Sequence, residues 1–184
     1  MTRLYLVRHG RAAAGFGESM DPGLDELGRS QALAVAEKLK SLGPLLILSS
    51  PLARAQQTAA PLAKLWSAEP AIEEAVAEIP SPKGMTLEGR VAWLRKLMAG
   101  SWRDVSPELA IWREHCIATV AAMGRDTVIF SHYIAINVIA GAALGDDRVV
   151  VFSPDNCSVT VFETDGTKLR LVERGNEASL TKVN

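Results

Sequence analysis

Leu4-Tyr5-Leu6-Val7-Arg8-His9-Gly10 reads as a buried strand that stops abruptly at two basic side chains and a glycine. Four apolar residues without alternation fit a strand covered on both faces, the hallmark of a parallel sheet inside an α/β protein. The glycine directly after Arg8-His9 points to a ligand approaching the backbone closely. Two further runs have the same character. Leu45–Leu48 ends in Ser49-Ser50-Pro51, and Thr127–Phe130 ends in Ser131-His132. Strands are also predicted over Val149–Phe152, Ser158–Glu163 and Lys168–Glu173, the last two joined at the hairpin signal Asp165-Gly166.

Helical patterns separate these runs. Asp25–Leu42 carries a stripe of Leu33, Val35, Ala36, Leu39 and Leu42 and stops at Gly43-Pro44. Pro51–Trp66, Leu87–Met98, Pro107–Met123 and Ile134–Leu144 also read as helices, with Pro61 expected to kink or split the first of these. The alternation predicts a three-layer α/β/α sandwich with a mostly parallel central sheet and an antiparallel C-terminal edge hairpin. Glu78–Gly84 is the expected irregular loop.

With 184 residues, 48% of them hydrophobic, a single domain over 1–184 is expected, its tail loose after about Asn176. Twenty Lys and Arg against 21 Asp and Glu leave a net charge of −1, which argues against nucleic acid as a partner. Asn137 interrupts the longest apolar stretch, which is too short for a bilayer, so no membrane partner is expected. The N-terminus lacks a secretory pattern, and the expected location is cytoplasmic. Cys116 and Cys157 have no zinc-like spacing.

Ligands of open α/β sheets bind beyond the carboxyl ends of the strands. Strand polarity alone therefore sends Arg8, His9, Ser49-Ser50, Arg54 and His132 to one rim. Ser50 reads as an N-cap and Pro51 as the first helical residue, which puts Arg54 in a helix's first turn. A cation there opposes the helix dipole by roughly 0.3–1 kcal/mol when exposed, unless an anion shares the site. Contact with a carboxylate, or with water, is the plainer explanation for Arg54 by itself. Ser131 similarly reads as the cap of a helix that His132 begins, and taken singly His132 fits a buried imidazole bonded to backbone. His115, beside Cys116, reads as structural.

Taken together, Leu6-Val7-Arg8-His9-Gly10, Asp21-Pro22-Gly23-Leu24-Asp25-Glu26-Leu27-Gly28-Arg29-Ser30-Gln31-Ala32, Ser49-Ser50-Pro51-Leu52-Ala53-Arg54-Ala55-Gln56-Gln57-Thr58-Ala59 and Ile129-Phe130-Ser131-His132 resemble, in order, the motifs of the histidine phosphatase superfamily. The resemblance runs from about residue 3 to the final hairpin. It implies a phosphatase acting on a phosphomonoester without a cofactor or metal. His9 is then the nucleophile that becomes phosphohistidine. Arg8, Arg54 and His132 surround the phosphoryl oxygens, and Glu78 stands where the phosphatase branches place a general acid. Two guanidinium forks and an imidazole suit phosphoryl transfer, which needs chiefly positioning and charge neutralisation.

Arg11 stands where many members carry a small polar residue or Glu, and either adds charge for a polyanionic substrate or faces solvent. Tyr133 and Asn137 stand where the late motif commonly continues with glycine and then arginine. Asn156 is a further candidate for the pocket. The implied partner is a small phosphorylated substrate or a phosphoprotein, with no oligomeric state indicated. A phosphoglycerate mutase is the alternative enzyme, disfavoured because the chain lacks extra covering segments. A phospho-ligand binding module without chemistry is the non-enzymatic alternative. A His9–His132 metal site is disfavoured by the adjacent Arg8 and the lack of a third ligand.

Overall fold

The computed structural model describes residues 1–15 and 17–179. In chain order the elements are β1 (Thr2–Arg8), α1 (Glu26–Leu39), β2 (Leu46–Ser49), α2 (Ala53–Trp66), β3 (Ala71–Ile72), α3 (Leu87–Met98), α4 (Pro107–Ala121), β4 (Thr127–Ser131), α5 (Tyr133–Leu144), β5 (Val159–Thr164) and β6 (Leu169–Glu173). One six-stranded sheet has the order β3-β2-β4-β1-β5-β6. Its first four strands run parallel, while β5 and β6 form the expected antiparallel edge.

The uninterrupted apolar strands follow from burial on both faces. Leu4, Leu6 and Ile129 pack with Ile134, Ile136, Val138 and Val120 on one side of the sheet. Val7, Val128 and Phe130 pack with Val35, Leu39, Ala55, Ala59 and Leu62 on the other. Alternate side chains of one strand thus enter different cores, which is why Leu6-Val7 and Val128-Ile129-Phe130 are apolar without alternation. Register then aligns the strand ends. Arg8 lies opposite Ser131, and Ser49 opposite Phe130. The ladder continues one residue past the strands, with His9 N–H donating to Ser131 O and Ser50 N–H to Phe130 O, both at 3.0 Å.

Several local expectations are corrected. Val149–Phe152 is not a strand. The Oδ1 of buried Asn137 accepts the N–H groups of Val151 and Phe152 at 2.8 and 3.1 Å, so a side chain replaces the ladder. Neither serine caps its helix. Leu52 is the N-cap of α2 and His132 that of α5, each without a side-chain cap bond of its own. Asp21 instead accepts the Ala53 N–H at 2.8 Å, from 32 residues upstream. Pro61 sits inside a continuous α2 and does not split it. The C-terminal stretch begins with residues that bond back to the body of the chain. Asp155 N–H donates to Asn176 O and Ala178 N–H to Ser153 O, which ties this stretch to the segment before β5. The remainder of the expected loose tail, residues 180–184, lies outside the described residues. Among the described residues no helix is long and apolar enough to cross a membrane.

Gly10 meets a different neighbour from the one its sequence position suggests. A Cβ there would lie 2.6 Å from the Gly28 carbonyl oxygen, and a Cβ on Gly28 would lie 2.1 Å from that of Arg11. The first turn of α1 is pressed against the chain that leaves His9, backbone to backbone. Gly28→Ala is therefore expected to cost about 1–3 kcal/mol of stability as overpacking and to displace the segment after His9. Denaturant melts would show it, and a midpoint equal to wild type would contradict this packing.

Candidate active site

Four chain segments converge where β1, β2 and β4 end. His9 is 7% exposed, Arg54 7% and His132 0%. The His9 and His132 rings lie 5.2 Å apart between centroids, tilted by 55°. His9 Nδ1 is 2.7 Å from the Gly10 carbonyl oxygen, which only accepts. Nδ1 therefore carries the proton, and Nε2 is left with its lone pair. Arg54 Nε donates to that Nε2 at 3.2 Å. Burial, then the Arg54 and Arg8 guanidiniums, hold the His9 pKa well below the usual histidine value.

The backbone under His9 is fixed by polar side chains. Asn156 Nδ2 donates to His9 O at 2.9 Å. Thr58 Oγ1 accepts the Gly10 N–H at 2.9 Å and donates to Arg54 O at 2.6 Å. Thr58 lies one helical turn after Arg54, so a single hydroxyl links the loop carrying His9 to the turn carrying Arg54. That link was missed in the sequence, where a buried threonine in a helix reads as packing.

His132 Nε2 and Ser50 Oγ are hydrogen-bonded at 2.7 Å, and Ser50 Oγ accepts the Leu52 N–H at 3.2 Å, which leaves the serine hydroxyl free to donate to Nε2. Ser50 serves this imidazole instead of capping α2, while Ser131 Oγ donates to Val76 O at 2.7 Å. His132 Nδ1 and Arg8 Nε are buried without a hydrogen-bond partner among the described residues. Burial, then His9, Arg54 and Arg8, hold the His132 pKa well below the usual value. Both rings are thus neutral near pH 7, in a basin whose positive charge comes from arginine.

Glu78 reaches the same place from the irregular loop. Its carboxylate accepts the Ile79 N–H at 3.0 Å and the Ile134 N–H at 3.2 Å, so it caps α5 from outside. Burial pushes its pKa above the ordinary carboxylate value, against those two hydrogen bonds and the nearby Arg54 and Arg8 charges. Arg54 also lies 4.0 Å from half-exposed Asp21. That long contact is the carboxylate expected for an arginine in a helix's first turn.

The candidates divide cleanly. Arg8, His9, Arg54, Glu78 and His132 come together. Asn156 joins them from behind, holding the carbonyl of His9 instead of facing the basin. Arg11 does not join them, because its exposed guanidinium pairs with Asp25, the N-cap of α1. His115 is exposed on α4. Among the described residues no group of three or more His, Cys, Asp or Glu side chains clusters as metal ligands would. A groove of about 480 Å³ between α1 and α2, lined by Arg29, Leu33, Gln57, Pro61 and Lys64 among others, contains none of the convergent residues.

A family profile described as the histidine phosphatase superfamily (branch 1) matches residues 4–177. The chain is 33% identical over 156 residues to a glucosyl-3-phosphoglycerate phosphatase of Mycolicibacterium vanbaalenii, covering 81% of this chain and 67% of that protein. It is 29% identical over 164 residues to a probable phosphoglycerate mutase of Photorhabdus laumondii, covering 79% and 76% of the two chains. The crystal structure of an Entamoeba histolytica phosphoserine phosphatase in complex with 3-phosphoglyceric acid superposes with a TM-score of 0.74 at 25% identity, covering 96% of this chain and 98% of that one.

Proposed function

Since the chain belongs to the histidine phosphatase superfamily, we propose that it hydrolyses a small phosphomonoester by way of a phosphohistidine on His9. The observation that carries this reading is the state of His9. Its Nδ1–H is engaged by Gly10 and its Nε2 lone pair is met by Arg54 Nε, inside a ring of Arg8, Arg54 and His132. A neutral, oriented imidazole beside two permanent cations is arranged to attack a phosphate dianion.

In the first step the Nε2 lone pair forms a bond to phosphorus and the ester P–O bond breaks. The equatorial oxygens take hydrogen bonds from Arg8, Arg54 and the otherwise unpartnered Nδ1 of His132. Protonated Glu78 gives its proton to the departing alkoxide. In the second step water attacks phosphorus, the N–P bond breaks and its electrons return to Nε2, and the Glu78 carboxylate takes the water's proton. Inorganic phosphate leaves. Burial of Glu78 favours the neutral acid that the first step requires, and a bound dianion favours it further.

The named relatives act on phosphate esters of glycerate or serine, and a small ester that also carries a carboxylate is the substrate class we assign here. The test is to incubate the chain with 3-phosphoglycerate, phosphoserine and p-nitrophenyl phosphate, measuring free phosphate and the 2-isomer of phosphoglycerate together. Phosphate release without the isomer is expected. Isomer formation exceeding phosphate release would make the chain a mutase, and phosphate binding with no release from any ester would make it a binding module.

A further inference from the structure

Tyr133 and Asn137, the two residues that depart from the late histidine motif, both act on one guanidinium. Arg8 Cζ lies 5.1 Å from the centroid of the Tyr133 ring. Arg8 Nη1 donates to the Pro154 carbonyl at 2.8 Å. The Tyr133 hydroxyl is hydrogen-bonded to Ser153 Oγ at 3.0 Å, next to that same proline. Asn137, fully buried, closes the circuit. Its Nδ2 donates to Tyr133 O at 2.9 Å, while its Oδ1 holds the Val151 and Phe152 N–H groups. One amide side chain therefore sets the start of α5 and the segment leading to Ser153-Pro154 at a fixed separation, and Arg8 is held between them.

We propose that Tyr133, braced by Asn137 and Ser153, is a positioning residue that holds the Arg8 guanidinium in its phosphate-binding orientation before the substrate arrives. This inference rests on the proposed phosphatase site. A free arginine side chain loses about 2 kcal/mol of rotamer entropy when fixed. Here the aromatic face and the Pro154 carbonyl do the fixing. Nη1 is occupied, yet Nε stays buried without a partner among the described residues, which leaves that edge of the fork for a ligand. The face of the ring also offsets part of the penalty of burying the cation, whose pKa is lowered chiefly by desolvation.

The full chain and inorganic phosphate test this. Phosphate affinity is measured by calorimetry and as competitive inhibition of p-nitrophenyl phosphate hydrolysis, in wild type, Tyr133→Phe, Tyr133→Leu, Arg8→Met, and Tyr133→Leu combined with Arg8→Met. Tyr133→Phe keeps the ring and should bind phosphate within about twofold of wild type. Tyr133→Leu should weaken phosphate binding, and raise KM, by about five- to tenfold, with kcat within about threefold. In the Arg8→Met background the same substitution should add less than about twofold, because its effect passes through that guanidinium. Unchanged phosphate binding in Tyr133→Leu, or an equal loss with and without Arg8, would overturn the assignment. A wild-type chain that binds phosphate but hydrolyses no ester contradicts the phosphatase reading, and the calorimetric comparison still decides the role of Tyr133. A wild-type chain that binds no phosphate would overturn both.

Discussion

His9→Ala is expected to lower kcat by at least about 10⁴-fold, the scale on which removing a covalent nucleophile ordinarily acts. Each tenfold corresponds to about 1.4 kcal/mol of barrier, so the imidazole is being asked to supply about 5.5 kcal/mol. The residual rate would come from water attacking a phosphate still held by Arg8, Arg54 and His132. Phosphate binding should survive, because the cations remain and Arg54 Nε loses only its contact with Nε2. Initial rates and phosphate affinity, measured on the same preparation, check this. A loss of less than tenfold with affinity intact would remove His9 from the covalent step.

Glu78→Gln should depend on the leaving group. For an alkyl ester such as 3-phosphoglycerate, a loss of about 10²–10⁴ in kcat is expected, since the alkoxide cannot depart without a proton. For p-nitrophenyl phosphate, whose leaving anion is already stable, the loss should stay below about tenfold. Glutamine keeps an acceptor for the Ile79 and Ile134 N–H groups, so α5 remains capped, whereas alanine would confound chemistry with an uncapped helix. The pH dependence has a definite sign. Glu78 must be protonated, and its pKa is raised by burial, so hydrolysis of the alkyl ester should fall as pH rises through that raised value. His9 must be neutral, and its pKa is lowered well below 6.5, so the acid limb lies well below that pH. Loss of the alkaline limb in Glu78→Gln, with the acid limb unmoved, is the expected profile. Equal losses on both esters would argue that Glu78 serves only as a helix cap.

The convergence of Arg8, His9 and His132 was legible because strand polarity and burial on both faces are written in local composition. Leu4–Val7 and Thr127–Phe130 could hardly be anything but interior parallel strands. Glu78 was legible only by resemblance, since a loop carboxylate carries no periodic signal, and its contact with the Ile134 N–H joins residues 56 apart in sequence. The misread elements share one cause. Ser50 and Ser131 look like caps, Val149–Phe152 like a strand and Gly10 like a ligand contact, because each local preference is ordinarily satisfied nearby. In the folded chain His132, Val76, Asn137 and Gly28 claim those groups from a distance. Arg11, left open between a polyanionic substrate and solvent, shows the converse. A local carboxylate, Asp25, takes a side chain that charge alone would have sent to the pocket.

The central claim is a phosphoryl group passing through one nitrogen of one histidine. Rapid mixing with excess ester, alkaline quenching and tandem mass spectrometry of the digest should locate an acid-labile phosphate on His9. It should sit on Nε2 and not Nδ1, because the Gly10 carbonyl holds the Nδ1 proton in place. A phosphate on any other residue, or steady turnover with His9 never labelled, would contradict the account.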